Sequence, residues 1–104
     1  MIIKNKDLKE IKTHLRNIKS IKKIILFGSY ANQTNNNDSD IDLCILIDDN
    51  KIKETDWSVR NILFGIVNTP IDLLIYNELD FKERSDSNTS FENQILKNGV
   101  FLYG

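Results

Sequence analysis

GSYANQTNNNDSDIDL, residues Gly28 to Leu43, places a Gly-Ser at the end of one apolar run and, ten residues further on, two aspartates spaced i and i+2 beside another. In a β-strand, alternate residues share a face and lie ~6.6 Å apart at ~3.3 Å rise each, so Asp40 and Asp42 point their carboxylates the same way. Like charges so placed repel. At ~4 Å and an effective dielectric of about 20 the penalty is ~4 kcal/mol, which a divalent cation reverses into attraction. An isolated Asp-x-Asp is more often a solvated loop ending, with Asp38 and Asp40 as turn formers. The upstream Gly-Ser favours a site.

The surrounding residues supply the elements. Lys23 to Phe27 (KIILF) reads as a short buried strand stopped by Gly28, and Asp40 to Ile47 (DIDLCILI) as a second. Ser29 to Asn32 opens a short helix, and Gln33 to Ser39 has the Asn, Asp and Ser content of an irregular loop. Upstream, Asp7 and Glu10 have the spacing of a capping box, and Leu8, Ile11, Leu15 and Ile18 recur at helical intervals, predicting a helix over 7–19. Downstream, Trp57, Ile62, Leu63, Ile66 and Val67 predict a helix over 54–68 ended by Pro70, with Trp57 and Phe64 expected in the core. Ile71 to Tyr76 (IDLLIY) is a third strand, apolar except for Asp72. The long connection from strand two allows a crossover that leaves the two strands parallel, which brings Asp72 towards Asp40 and Asp42. Residues 78–84 read as a further helical turn or two. Thr89 and Glu92 suggest a second capping box, for a helix running to Asn98, and Val100 to Tyr103 an edge strand.

A chain of 104 residues is read as one domain, 1–104, which leaves a separate acceptor-binding domain to another chain. The lone Cys44 excludes an internal disulfide. No segment reaches ~18 apolar residues and the N-terminus lacks a secretory h-region, so a cytoplasmic protein with no membrane association is expected. Net charge is −1, which argues against direct nucleic-acid binding. The charge is uneven: eight basic residues against Asp7 and Glu10 make the segment through Lys23 +6 and the remainder −7. That segment is either a solvated helix face or a docking surface for an acidic partner. His14 is read as a surface residue of it.

These residue types suit one chemistry. Mg²⁺ takes oxygen ligands and is commonly held by one or two carboxylates plus substrate phosphates, which Asp40 and Asp42 can supply. A third carboxylate, Asp72, serves a second metal or a general base. A triphosphate needs donors too, and a glycine that lets the backbone approach, followed by a hydroxyl, provides them at Gly28 and Ser29.

The stretch resembles the Gly-Ser-x₁₀-Asp-x-Asp signature of the DNA polymerase β-like nucleotidyltransferase superfamily. The chain as a whole, to its closing KNGVFLYG, is similar to the minimal nucleotidyltransferase (MNT) branch, MntA-type antitoxins paired with HEPN toxins. The resemblance implies an α/β (α+β) nucleotidyltransferase fold, a small mixed β-sheet flanked by helices. It implies Mg²⁺ at Asp40 and Asp42, metal or proton transfer at Asp72, and nucleotide phosphates at Gly28 and Ser29. It also implies AMP transfer from ATP, or use of another NTP, onto a tyrosine of a HEPN-domain ribonuclease toxin in a hetero-oligomer, with this chain as antitoxin. The alternative is an antitoxin that neutralises its partner by binding alone. Where the branch commonly has arginine after the Gly-Ser and a glycine shortly after, this chain has Tyr30, Asn32 and Gln33.

Overall fold

Three seven-residue runs rich in Ile and Leu form the centre of the molecule, two of them largely buried and the third, at the sheet's edge, partly so. In the computed structural model, which describes residues 5–32, 34, 36 and 39–104, they are β1 (Ile21–Phe27), β2 (Ile41–Ile47) and β3 (Ile71–Asn77). A four-residue strand, β4 (Val100–Tyr103), completes a sheet of order β3-β2-β1-β4. β1 runs antiparallel to both β2 and β4, while β2 and β3 are parallel, as the length of their connection predicts. The mixed sheet flanked by helices is the expected nucleotidyltransferase architecture.

Strand alternation sorts the side chains into two layers. Ile24, Leu26, Leu43, Ile45 and Ile47 face one way and pack with Ile11 and Leu15 of α1 (Asn5–Leu15) and Val59 and Leu63 of α3 (Ile52–Leu63). Ile25, Cys44 and Leu46 face the other way, against Phe81 of α4 (Glu78–Ser85) and Ile95 of α5 (Phe91–Asn98). A register shift between Ile21 and Lys23 keeps Ile21 on the first face with Ile24 although they are three residues apart, the usual effect of a bulge. Each such isoleucine or leucine, fully buried, contributes ~1.5–3 kcal/mol.

Several boundaries differ from expectation. α1 ends at Leu15, and Asp7 lies inside it rather than capping it. Its carboxylate is buried and accepts a hydrogen bond from Thr69 Oγ1 at 3.1 Å, tying α1 to the turn before β3. α3 starts at Ile52 and ends at Leu63, because Phe64 is extended and Gly65 adopts φ +79°. Trp57 and Phe64 are not core residues: they are 69% and 88% exposed. The buried stripe of α3 is Thr55, Val59 and Leu63, and Trp57, two residues before Val59, is rotated about 200° from it. α5 is capped by Ser90, whose side chain accepts from the Asn93 N–H, and not by Thr89. Gly99 follows in extended conformation. His14 is a surface residue as expected, bonded to Glu10 at 2.9 Å. The readings of Gln33 and Asp38 lie outside the described residues. Among the described residues no helix is long and apolar enough to cross a membrane.

Cys44 lies between the sheet and α4–α5, fully buried. Burial, with a smaller contribution from the Glu92 charge, pushes its thiol up to about 12. A thiol so placed is inert. At pH 8 the folded protein is expected to resist a thiol-titrating disulfide reagent that reacts with one thiol per chain after unfolding in urea; fast stoichiometric reaction of the folded protein would contradict this packing.

Candidate active site

The two-layer sorting fixes where the aspartates point. Asp42 precedes Cys44 by two residues and so shares the α4–α5 face. The Ile41 N–H donates to the Pro70 carbonyl at 2.9 Å, joining the starts of β2 and β3, and from there the parallel register sets Asp42 beside Asp72. Asp40 stands just ahead of β2, exposed, as is Asp72, while Asp42 is half-buried. Acidic side chains from two stretches of the chain, Asp40 and Asp42 on one and Asp72 on the other, thus lie at one end of the sheet.

Their proximity shows in the behaviour of Asp42. Its carboxyl is raised from 3.8 to about 6, first by burial, then by a hydrogen bond to Asp72, and then by the charges of Asp72 and Asp40. Asp42 and Asp72 are therefore within hydrogen-bonding reach of each other, and Asp40 is close enough to add repulsion. No three His, Cys, Asp or Glu side chains among the described residues are gathered tightly enough to hold a metal by themselves. A pair of adjoining carboxylates is nonetheless an all-oxygen donor set for a hard cation. Mg²⁺ takes its remaining ligands from water and substrate phosphates, so these residues fit it.

Gly28 supplies the other wall. It ends β1, starts the short helix α2 (Gly28–Asn32) and has φ +72°. A β-carbon there would overlap Asp42 Oδ2. The glycine is thus required twice, by its left-handed backbone and by the carboxylate packed on it. Ser29 follows, half-buried, and its hydroxyl makes no hydrogen bond to a described residue, so it does not cap α2. Tyr30, where the branch commonly carries arginine, turns away from the site. It is 2% exposed and fills the α1–α3 core.

All five residues singled out in the sequence therefore lie at one end of the sheet. The basic helix α1 does not: it packs on the opposite face. Sequence reading left Phe27 out, although β1 pairs antiparallel with β2 and sets Phe27 directly opposite Asp42. The signal was present, since Phe27 immediately precedes Gly28.

A family model described as polymerase beta, nucleotidyltransferase, matches residues 9–104. The chain belongs to that nucleotidyltransferase family. A Methanocaldococcus jannaschii protein named "Putative protein adenylyltransferase" is 36% identical over 101 residues, covering 91% of this chain and 96% of its own length. Among solved structures, a chain from a crystal structure of a toxin–antitoxin with AMP-PNP superposes with a TM-score of 0.68 at 25% identity, covering 94% of this chain and 73% of that one. A chain from a tri-AMPylated Shewanella oneidensis HEPN toxin in complex with MNT antitoxin matches with a TM-score of 0.63 at 22% identity, covering 98% of this chain and 73% of that one, a likeness of fold.

Proposed function

We propose that this chain is an Mg²⁺-dependent adenylyltransferase that moves AMP from ATP onto a tyrosine hydroxyl of a cognate HEPN-domain toxin, and that it acts as the antitoxin of a cytoplasmic two-protein complex. The observation that carries the reading is the meeting of Asp42 and Asp72 in register, with Gly28 packed against Asp42. The adenylyl and toxin parts rest on the relatives: a 36% identical protein named for protein adenylyl transfer, and similar folds crystallised with AMP-PNP or with an AMPylated HEPN toxin.

In this reading Asp40 and Asp42 hold Mg²⁺, with Asp72 either sharing it or serving as base. Mg²⁺ held there supplies charge neutralisation for the triphosphate and the departing pyrophosphate. The Gly28 backbone and the Ser29 hydroxyl, which has no hydrogen bond to a described residue, donate to phosphate oxygens. The acceptor oxygen attacks the α-phosphorus in line with the bond to pyrophosphate, which breaks as the new one forms. In the arrangement where Asp72 is the base, it takes the proton of the attacking hydroxyl from its place beside Asp42 in the β2–β3 register. The acceptor hydroxyl comes from the partner.

Co-expression with the adjacent gene product and intact-mass measurement after incubation with ATP and Mg²⁺ tests this. The partner chain is expected to gain one or more AMP masses, mapped to tyrosine. A stable complex without mass gain would favour neutralisation by binding alone.

A further inference from the structure

The face of the sheet that carries the carboxylates continues past them into a second feature. Across three adjacent strands, Asp72, Asp42 and Phe27 occupy one register line and point the same way. Beyond Phe27, a cavity of about 160 Å³ opens between β1, α2 and α5, lined by Phe27, Gly28, Asn32, Phe91, Gln94 and Asn98 among others. It shares Gly28 with the carboxylate site, so the two are contiguous.

Resting on the nucleotidyltransferase reading above, we infer that this cavity is the nucleobase pocket, and that it selects adenine through Phe91, Gln94 and Asn98. Its composition is that of a base site: an aromatic wall, three amides and no charged side chain. Phe91 packs edge-on against Phe27, with ring centroids 5.8 Å apart and planes at 82°, and is 53% exposed. That leaves ring surface free for stacking.

Two of the amides are already paired. Asn98 Nδ2 donates to Gln94 Oε1 at 3.2 Å, which uses the glutamine oxygen and leaves Gln94 Nε2 as a donor and Asn98 Oδ1 as an acceptor. A donor beside an acceptor matches the adenine edge, where the N6 amino group donates next to a ring nitrogen that accepts. In the same orientation guanine and uracil present the reverse order, so they pair with these amides only when turned over. Cytosine presents the same order on a single ring with less surface to stack. The wall is also held in place: the Tyr76 hydroxyl donates to Glu92 at 2.8 Å, and Asn93 Nδ2 donates to the Ser85 carbonyl at 3.0 Å, anchoring α5 on β3 and α4.

The test is calorimetric titration of the protein in Mg²⁺ buffer with ATP, GTP and inorganic tripolyphosphate, which has the phosphates but no base. Phe91→Ala is expected to weaken ATP about tenfold or more, the scale of one lost base–aromatic stack, and to leave tripolyphosphate unchanged. Phe91 is half-exposed, so its removal spares the core. Gln94→Ala, on an exposed side chain, is expected to cut the preference for ATP over GTP several-fold. Equal weakening of ATP and tripolyphosphate, or unchanged ATP affinity in Phe91→Ala with unchanged preference in Gln94→Ala, overturns the base pocket while the nucleotidyltransferase site stands. Failure of the wild-type protein to bind either ATP or tripolyphosphate overturns both.

Discussion

Asp42→Asn is expected to reduce adenylyl transfer by roughly 10²–10³-fold, the scale of removing one group that stabilises transition-state charge, and at the same time to raise the melting temperature of the metal-free protein at neutral pH. The two effects have one cause. Asp42 is held at about 6 in the folded chain against an ordinary 3.8, so folding favours its protonated form. A folded pKa raised in this way contributes stability that is fully present below the ordinary value and is lost as pH rises through about 6. Above that pH the folded protein carries an ionised Asp42 against Asp72 and Asp40, and the amide removes this repulsion. Metal-free wild type should therefore lose stability between pH 4 and pH 7 relative to Asp42→Asn, and the two should converge near pH 4. Added Mg²⁺ should stabilise the wild type at pH 7.5 and the variant much less. Thermal unfolding across this pH range, with and without Mg²⁺, reads all three. Near wild-type transfer by Asp42→Asn in Mg²⁺ would remove Asp42 from the metal site.

The strands and the site were legible for the same reason. Asp40, Asp42 and Asp72 are acidic residues in or beside otherwise apolar runs, a local contrast that needs no knowledge of distant parts of the chain. Their meeting followed from the length of the connection between β2 and β3, which makes the strands parallel. The helices were less legible. Trp57 and Phe64 look like core residues by type, but whether an aromatic residue on α3 is covered depends on which stripe the sheet claims, and Val59 and Leu63 claimed it. Asp7 looked like a cap because its partner Thr69 is 62 residues away in sequence. Tyr30 looked like a lost phosphate ligand, yet its position is a core position, and an aromatic side chain suits it. The α5 wall of the cavity was invisible for a related reason: Phe91, Gln94 and Asn98 acquire meaning only once α5 lies over β1.

Gly28→Ala is expected to abolish transfer, and a second glycine provides the control that shows why. Gly28 and Gly65 have nearly the same backbone, φ +72° and φ +79°, so alanine at either costs ~1–2 kcal/mol for entering the left-handed region. Their surroundings differ completely. The new methyl group at position 28 would overlap Asp42 Oδ2, whereas at position 65 it would meet nothing within 4 Å. Both variants should lose several degrees of melting temperature, about 4–8 °C per kcal/mol for a domain near 100 residues. Transfer should survive in Gly65→Ala, measured well below its transition. In Gly28→Ala it should fall by at least 10²-fold, because displacing Asp42 by even ~1 Å moves a carboxylate whose position the reaction depends on. Mg²⁺ stabilisation should be lost alongside. Equal activity of the two variants at matched stability would mean that the contact between Gly28 and Asp42 is packing alone, and that the phosphate-binding turn lies elsewhere on this face of the sheet.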